Sequence, residues 1–173
     1  GDLTGPLRDR FGVVHKLDFY DTKALETICH RTAQLYQTPI DETSIAEIGR
    51  RSRGTPRIVN RLFRRIRDFA DVLNDGIIDP KITDQALSKL NIDPYGLDQK
   101  DYLYLETLID HHKGGPVGID NLASGMSEDV TTLEDVYEPY LLKLGFIART
   151  SRGRVATDKA YKHLKKPYQT GLL

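Results

Sequence analysis

Apolar residues recur at helical spacing along most of the chain, so the pattern predicts a mainly α-helical fold. Asp21 or Thr22 is suited to cap a first helix, and Asp41 a second helix that we expect to stop at Gly54. The expected buried face of the first helix consists of Leu25, Ile28, Cys29 and Tyr36.

The clearest helix start lies at Thr55 and Pro56, because threonine caps a helix and proline fits its first turn. Apolar residues from Ile58 to Ala70 then share one face of this third helix. A shorter fourth helix is expected to begin at Thr83. We therefore predict a four-helix unit over residues 21–92.

Residues 91–96 contain Asp93, Pro94 and a glycine, which is a linker composition, so a second domain is expected over 93–173. Its first helix begins at Asp98, and a short helix follows near Ile119. The pair Thr131 and Glu134 predicts a capping box that opens a third helix, which Pro139 should kink. The buried face expected for this helix is Leu133, Val136, Tyr137, Tyr140, Leu141 and Leu144.

After Gly145, residues 146–150 and 154–157 predict two strands joined by a tight turn in which Gly153 adopts a positive φ. A last helix begins at Asp158. Helices followed by a basic hairpin are typical of a winged helix-turn-helix. The predicted architecture is thus a helical unit followed by a winged helix with a small β-hairpin.

The chain has 25 basic and 25 acidic residues, but its zero net charge hides two basic clusters. Their separation indicates two anionic partners. The first cluster comprises Arg50, Arg51, Arg53, Arg57, Arg61, Arg64, Arg65 and Arg67. The second comprises Lys143, Arg149, Arg152, Arg154, Lys159, Lys162, Lys165 and Lys166.

Several classes of chemistry lack the residues they need. Cys29 is the single cysteine, so no internal disulfide is possible, and the histidines are too scattered to predict a metal site. No apolar run is long enough to span a membrane, and we expect a cytoplasmic protein without a membrane partner. The phosphate-loop pattern Gly-x-x-x-x-Gly-Lys-Ser/Thr does not occur, so the chain by itself is not expected to hydrolyse ATP.

Two arginines are candidates for sensing a nucleotide. Arg57 falls in the first turn of the third helix, where the helix end already favours a phosphate; alternatively, it only joins an exposed arginine face with Arg61 and Arg64. Arg10 follows an abrupt chain start that we expect to be part of something larger. Arg10 is suited to reach a neighbouring subunit as an arginine finger; alternatively, it pairs with a nearby aspartate.

The hairpin is the candidate DNA contact. Arg152 and Arg154 project from a tight turn, flanked by Arg149 and Lys159, which suits contact with sugar and phosphate in a groove. The alternative is a solvated loop tip. The preceding helix is expected to expose Glu134, Asp135 and Glu138, which repel phosphates, so the hairpin is the better candidate of the two.

Five segments of the chain, in order, resemble the RuvB family of bacterial Holliday-junction branch-migration ATPases. They are 3–12 (LTGPLRDRFG), 53–62 (RGTPRIVNRL), 114–123 (GGPVGIDNLA), 138–141 (EPYL) and 149–154 (RTSRGR). The resemblance implies the end of an AAA+ large domain over residues 1–20, an AAA+ helical lid over 21–92 and a winged-helix domain over 93–173.

The resemblance also implies roles for individual residues. Arg10 would be the arginine finger acting on ATP in the neighbouring subunit, with Arg8 as the alternative, and Arg57 would be the sensor arginine contacting phosphate in its own subunit. Arg149, Arg152, Arg154 and Lys159 would bind DNA. The complete protein would use ATP and Mg²⁺ and act as a hexameric ring with RuvA on Holliday-junction DNA, whereas no cofactor is expected on this chain.

Two other functions fit the same architecture. One is the lid and winged helix of an AAA+ replication initiator, which would select origin sequences. The other is a non-catalytic winged-helix transcriptional regulator, which would recognise specific bases through the helix after Thr131. Both predict sequence preference in DNA binding, whereas branch migration must accept any sequence.

Overall fold

The computed structural model describes residues 18–167, which form a helical unit followed by a winged-helix unit. Aspartate caps begin three of the first four helices, because the carboxylates of Asp21, Asp41 and Asp79 accept hydrogen bonds from free backbone amides. These helices are α1 (Thr22–Leu35), α2 (Glu42–Arg51), α3 (Pro56–Leu73) and α4 (Pro80–Lys89).

The core of the helical unit is built around α3, whose apolar face is buried against the other three helices. Phe63 and Ile66 are fully buried at its centre. Polar side chains between helices are paired: Thr32 donates to Asn60 over 2.7 Å, and Thr83 donates to Ser44 over 2.9 Å. The predicted third helix is confirmed, including its start at Pro56.

Three details of the predicted helical unit are wrong. The fourth helix begins at Pro80 rather than Thr83, because Asp79 accepts a hydrogen bond from the amide of Ile82 and Thr83 faces the core. The second helix ends at Arg51, three residues before Gly54, with Ser52 as its C-cap. Tyr36 follows the end of α1 and is exposed, since the chain leaves the helix there.

The winged-helix unit has a separate hydrophobic core that includes Tyr104, Leu105, Leu141 and Phe146. Its elements are α5 (Gln99–Glu106), which continues through a π-helical turn (Thr107–His111), then α6 (Ile119–Met126), α7 (Val130–Thr132), a second π-helical turn (Leu133–Tyr137), α8 (Glu138–Leu144), β1 (Ile147–Thr150), β2 (Gly153–Ala156) and α9 (Asp158–His163). The predicted winged-helix order is confirmed.

Pro139 was expected to kink this helix, and the structure shows the second π-helical turn directly before it. Proline lacks an N–H and crowds the carbonyl of the preceding turn, and a wider turn relieves both problems. In the wider turn the N–H of Glu138 bonds to the Leu133 carbonyl five residues back; the Glu138 side chain is buried, and Tyr137 packs against the core only in part. The prediction that Val136 is buried is therefore wrong, since this residue is 54% exposed.

The predicted capping box of Thr131 and Glu134 is also wrong. The helix begins at Val130 after Asp129, and no side chain caps its start. Instead, the carboxylate of Glu134 accepts a hydrogen bond of 2.8 Å from Arg154 in the hairpin. Glu134 therefore pairs with an arginine 20 residues away instead of capping the start of its own helix.

The hairpin pairs β1 and β2 antiparallel, with Thr150 opposite Gly153. Gly153 has a φ of +134°, which confirms the positive φ predicted for this turn. Val117 adds a bridge that sequence reasoning missed: its N–H and carbonyl both bond to Arg154, at 3.0 and 2.8 Å. A Cβ on Gly153 would lie 2.3 Å from the Val117 carbonyl oxygen, so only glycine permits this approach.

The buried position of Phe63 gives a direct test of the helical core. We expect Phe63→Ala to lower the free energy of unfolding of this unit by about 3–5 kcal/mol, because a large cavity forms between four helices. Native-state hydrogen exchange of the α3 amides measures this change.

Val72→Ala is the matched control, because Val72 lies on the same helix and is 80% exposed. We expect it to change the same free energy by less than about 0.5 kcal/mol. Equal effects of the two substitutions would show that Phe63 is not at the centre of the core.

Candidate nucleotide and nucleic-acid sites

Arg57 lies in the first turn of α3 with its side chain exposed. Thr55 stands at the N-cap, but its hydroxyl donates to the Arg53 carbonyl at 3.2 Å and does not cap the helix. The positive end of an 18-residue helix is therefore uncapped beside a guanidinium. Within residues 18–167 no carboxylate pairs with Arg57, so an anion would meet no competitor there.

A small cavity of about 250 Å³ lies beside the start of α3, lined by Phe19, Tyr20, Gly54 and Pro56 among others. The amide of Tyr20 donates to the Gly54 carbonyl over 2.8 Å. Gly54 has a φ of +67°, and a Cβ there would lie 2.6 Å from that of Phe19. Gly54 thus allows the segment before α1 to lie against the loop that leads to Arg57.

The other arginines of α3 extend this basic surface away from the helix start. Arg61, Arg64 and Arg65 are exposed, and Arg65 lies 3.7 Å from Asp68. The position of Arg57 also agrees with the alternative prediction that it only joins this exposed arginine face. Arg10 and Arg8 lie outside the described residues, so the finger assignment stays a prediction.

The loop before α3 contains a buried ion pair that sequence reasoning missed. Arg53 donates to both oxygens of Asp101, at 2.6 and 3.1 Å, and Asp101 is fully buried in the first turn of α5. Burial raises the pKa of Asp101 to about 6, although Arg53 acts to lower it. No local pattern relates two residues 48 positions apart, so nothing in the sequence indicated this pair.

Two of the four candidate DNA-binding residues are bound to Glu138. Arg154 donates from Nε to Glu138 Oε1 at 2.8 Å, and Arg149 donates from Nε to Oε2 at 2.9 Å. Tyr104 also donates to Oε1, at 2.9 Å. The Arg149 side chain keeps 48% of its surface exposed, whereas that of Arg154 keeps 14%.

The prediction that Glu138 lies on an exposed face is therefore wrong, because its side chain is fully buried. Burial acts to raise its pKa, but hydrogen bonds from Arg154, Arg149 and Tyr104 outweigh that effect and leave the pKa below its usual value. The signal for this position was Pro139, since a widened turn before the proline brings residue 138 inward. Glu138 holds the hairpin against α8.

Arg152 and Lys159 occupy different environments. Arg152 is exposed at the hairpin tip, and its side chain pairs with no carboxylate in the described part of the chain. Lys159 donates to the Leu144 carbonyl at 2.6 Å and lies over the rings of Tyr95 and Phe146. DNA contact by Arg149, Arg152, Arg154 and Lys159 stays a prediction, and Arg152 is the one whose exposed side chain has no ion pair or hydrogen bond within residues 18–167.

Comparison with known proteins identifies both units. Residues 20–93 match the model of the RuvB AAA lid domain, and residues 94–165 match that of the RuvB C-terminal winged helix domain. The chain belongs to the RuvB family. The fold predicted for this chain, an AAA+ lid followed by a winged helix, is confirmed and matches the C-terminal part of RuvB.

Relatives and solved structures extend the match along the chain. The Holliday junction branch migration complex subunit RuvB of Phytoplasma mali (strain AT) is 56% identical over 165 residues, covering 95% of this chain and 50% of the relative. That of Acholeplasma laidlawii (strain PG-8A) is 54% identical over 173 residues, covering 100% of this chain and 51% of the relative. The chain therefore spans about half the length of these RuvB relatives.

Among solved structures, the Thermotoga maritima RuvB Holliday junction branch migration motor superposes with a TM-score of 0.91 at 47% identity. The match covers 95% of this chain and 55% of that structure. Between residues 18 and 167, no group of three metal-ligating side chains converges, and no helix is long and apolar enough to cross a membrane.

Replacing Glu138 tests whether it holds the hairpin. We expect Glu138→Gln to lower the free energy of unfolding at pH 7 by about 2–4 kcal/mol, because two arginines lose a buried counter-charge. The pKa of Glu138 is lowered in the folded state, so this stabilisation is present above pH 4.5 and is lost as the pH falls through the folded pKa. The measurement is urea unfolding of both proteins between pH 7 and pH 3.

Glu134→Gln is the control, because Glu134 is partly exposed and pairs with Arg154 alone. Its effect should stay below about 1 kcal/mol. A Glu138→Gln effect that does not shrink on acidification would contradict the role of its charge.

The effect of pH on stability through Asp101 should be opposite to that through Glu138. Its folded pKa of about 6 exceeds the ordinary 3.8, so the folded state holds the proton more tightly, and folding is progressively disfavoured as the pH rises from about 4 to about 6. We expect the Asp101 carboxyl resonance in a ¹³C NMR titration to move with a midpoint near 6. Arg53→Ala should raise that midpoint, and a midpoint below 4 would contradict the structure.

Proposed function

We propose that this chain is the lid and DNA-binding part of a hexameric, ATP-driven DNA motor that drives Holliday-junction branch migration in recombination and repair. One observation carries the proposal: lid and winged helix both match their RuvB counterparts, in order, across residues 20–165. Relatives 54–56% identical to the chain are named subunits of the Holliday junction branch migration complex.

In this proposal the whole protein binds ATP and Mg²⁺ through a domain for which this chain supplies the lid. Arg57 contacts phosphate in its own subunit, which is supported by its exposed position at the uncapped start of α3. Arg10, or Arg8, acts as the finger in the neighbouring subunit. Removing such a finger lowers the hydrolysis rate by about 10³–10⁵-fold, which Arg10→Ala in the whole protein would measure.

The winged helix holds duplex DNA through phosphate contacts led by Arg152. Arg149 adds its exposed surface, while Arg154 and Lys159 contribute positive charge beside the hairpin. A motor that moves along any sequence needs contacts to the backbone rather than to bases. The isolated chain should therefore bind DNA weakly, with a Kd of about 10⁻⁴–10⁻⁶ M and strong salt dependence.

The remaining parts of the proposal concern assembly. The whole protein forms a ring with copies of itself, meets RuvA at the junction and works in the cytoplasm. Residues 1–20 connect to the AAA+ large domain, and the lid and the winged helix meet near residue 92. Separate hydrophobic cores on the two sides of this position support that boundary.

Binding and motor assays together test the function. Junction DNA, random duplex and duplexes of defined sequence should bind this chain with similar, salt-sensitive affinities. The whole protein with RuvA should move junctions only in the presence of ATP. A strong preference for one sequence would favour a transcriptional regulator or a replication initiator instead.

The hairpin arginines should differ in what they contribute. Arg152→Ala is expected to lower DNA affinity about tenfold and to reduce the slope of log Kd against log salt by about one, because one phosphate contact is lost. Its folding free energy should be unchanged, since Arg152 is exposed. Fluorescence anisotropy with labelled duplex at several salt concentrations measures both quantities.

Lys89→Ala removes an exposed cation from the helical unit and serves as the control. It should leave both the affinity and the slope unchanged. An Arg152→Ala protein that binds like the Lys89→Ala protein would exclude the hairpin tip from the DNA contact.

A further inference from the structure

The loop between α2 and α3 contacts the winged-helix unit directly. Arg53 lies in this loop with a φ of +54°, four residues before Arg57. Its side chain is only 11% exposed, although arginine at a loop position is ordinarily solvated. The guanidinium points away from the helical unit and enters the winged helix.

Arg53 contacts the first helix of that unit through Asp101. Its two hydrogen bonds to this carboxylate are bidentate, which fixes the orientation of the guanidinium plane as well as its distance. Asp101 is held in turn by its own helix, because its Oδ2 accepts a hydrogen bond of 2.9 Å from the Asp98 amide. The pair thus joins the loop to the start of α5.

Arg53 also contacts the helix that precedes the hairpin. Its guanidinium carbon lies 4.6 Å from the centre of the Tyr140 ring, in α8. Tyr140 donates from its hydroxyl to the Tyr95 carbonyl at 2.7 Å, which fixes the ring to the linker. The Phe19 ring meets the Tyr140 ring edge-on at 6.0 Å. One side chain of the loop therefore contacts two helices of the winged helix.

The linker is packed against the end of α2, where the same loop begins. Arg51 donates to the Ile92 carbonyl at 3.2 Å. Gly96 has a φ of +77°, and a Cβ there would lie 2.5 Å from the Arg51 carbonyl oxygen. Between these two contacts, Asp93 of the linker lies 2.7 Å from Nε2 of His163 in α9. The linker therefore contacts both units beside the Arg53 loop.

We propose that Arg53 is the positioning residue that couples the lid to the winged helix: by binding Asp101 and Tyr140 it makes the winged helix move with the loop that leads to Arg57. The consequence for the motor rests on the proposed function, whereas the coupling itself does not. A buried ion pair often adds little net stability, because desolvation offsets the attraction, whereas the bidentate contact of Arg53 with Asp101 fixes a defined geometry. This is the property that transmission of a movement requires.

The coupling is tested in the 173-residue chain by distances between spin labels on Gln85→Cys in α4 and Ser124→Cys in α6, both exposed. Cys29 stays unlabelled, because it is buried and its thiol pKa is raised to about 12. We expect a narrow distance distribution that Arg53→Ala broadens. Arg53→Ala/Asp101→Asn, which leaves no unpaired buried charge, should broaden it as well.

Arg50→Ala is the matched control, since Arg50 belongs to the same basic cluster and pairs only with Glu47 of its own helix. It should leave the distribution narrow. A narrow distribution in the folded double variant would overturn the proposal, because the linker alone would then hold the two units together.

The second measurement uses the whole protein with RuvA, ATP and junction DNA. Arg53→Ala should keep most of the ATPase rate while branch migration per ATP falls about tenfold, the size of a typical coupling between sites. Arg53→Lys should give a branch migration per ATP between those of the wild type and Arg53→Ala, because lysine keeps the charge but not the bidentate contact. Equal losses of ATPase and migration would overturn the coupling role. A wild-type protein unable to migrate junctions would refute the proposed function, while the spin labels would still decide the role of Arg53.

Discussion

Glu138 carries a charge at a position with no exposed surface, and the arrangement of the winged helix follows from the need to balance it. An unpaired carboxylate in such a place would cost several kcal/mol. Arg149 and Arg154 supply the counter-charge from the two strands of the hairpin, and Tyr104 supplies a third donor from α5. The hairpin is therefore held by electrostatics from within rather than by its short ladder alone.

A second buried carboxylate, Asp101, also pairs with an arginine, but its pKa is shifted in the opposite direction. Glu138 receives hydrogen bonds from three side chains, and its pKa falls, whereas Asp101 has one arginine and one backbone amide, and its pKa rises. Desolvation is the leading effect for both: hydrogen bonds outweigh it at Glu138 but not at Asp101, where the neighbouring Asp98 carboxylate also acts to raise the pKa. Asp101 is accordingly better suited to fix a geometry than to stabilise the fold.

The arginines that pair with Glu138 and Asp101 differ in exposure from those that have no carboxylate partner in the described residues. Arg53 and Arg154 are largely buried against carboxylates, and Arg149 is paired but about half exposed, while Arg57 and Arg152 are exposed at a helix start and at a hairpin tip. Arg57 and Arg152 are thus open to an anion without first giving up a carboxylate partner in the described residues. The paired arginines connect different parts of the fold: Arg53 joins the loop before α3 to α5, and Arg149 and Arg154 join the hairpin to α8.

Local rules were sufficient for much of this molecule. Periodicity and capping residues predicted the start of α3 at Pro56, the helix end at Gly145 and the positive φ of Gly153, because each depends on neighbours within a few positions. The same rules failed at Val136 and Glu138, because the wider turn before Pro139 exposes the valine and buries the glutamate, although Tyr140 and Leu141 are buried as predicted. By itself the sequence determined which elements form and in what order. The tertiary structure alone decided which arginines face solvent, since their partners lie 11 to 48 residues away and no local pattern brings them together.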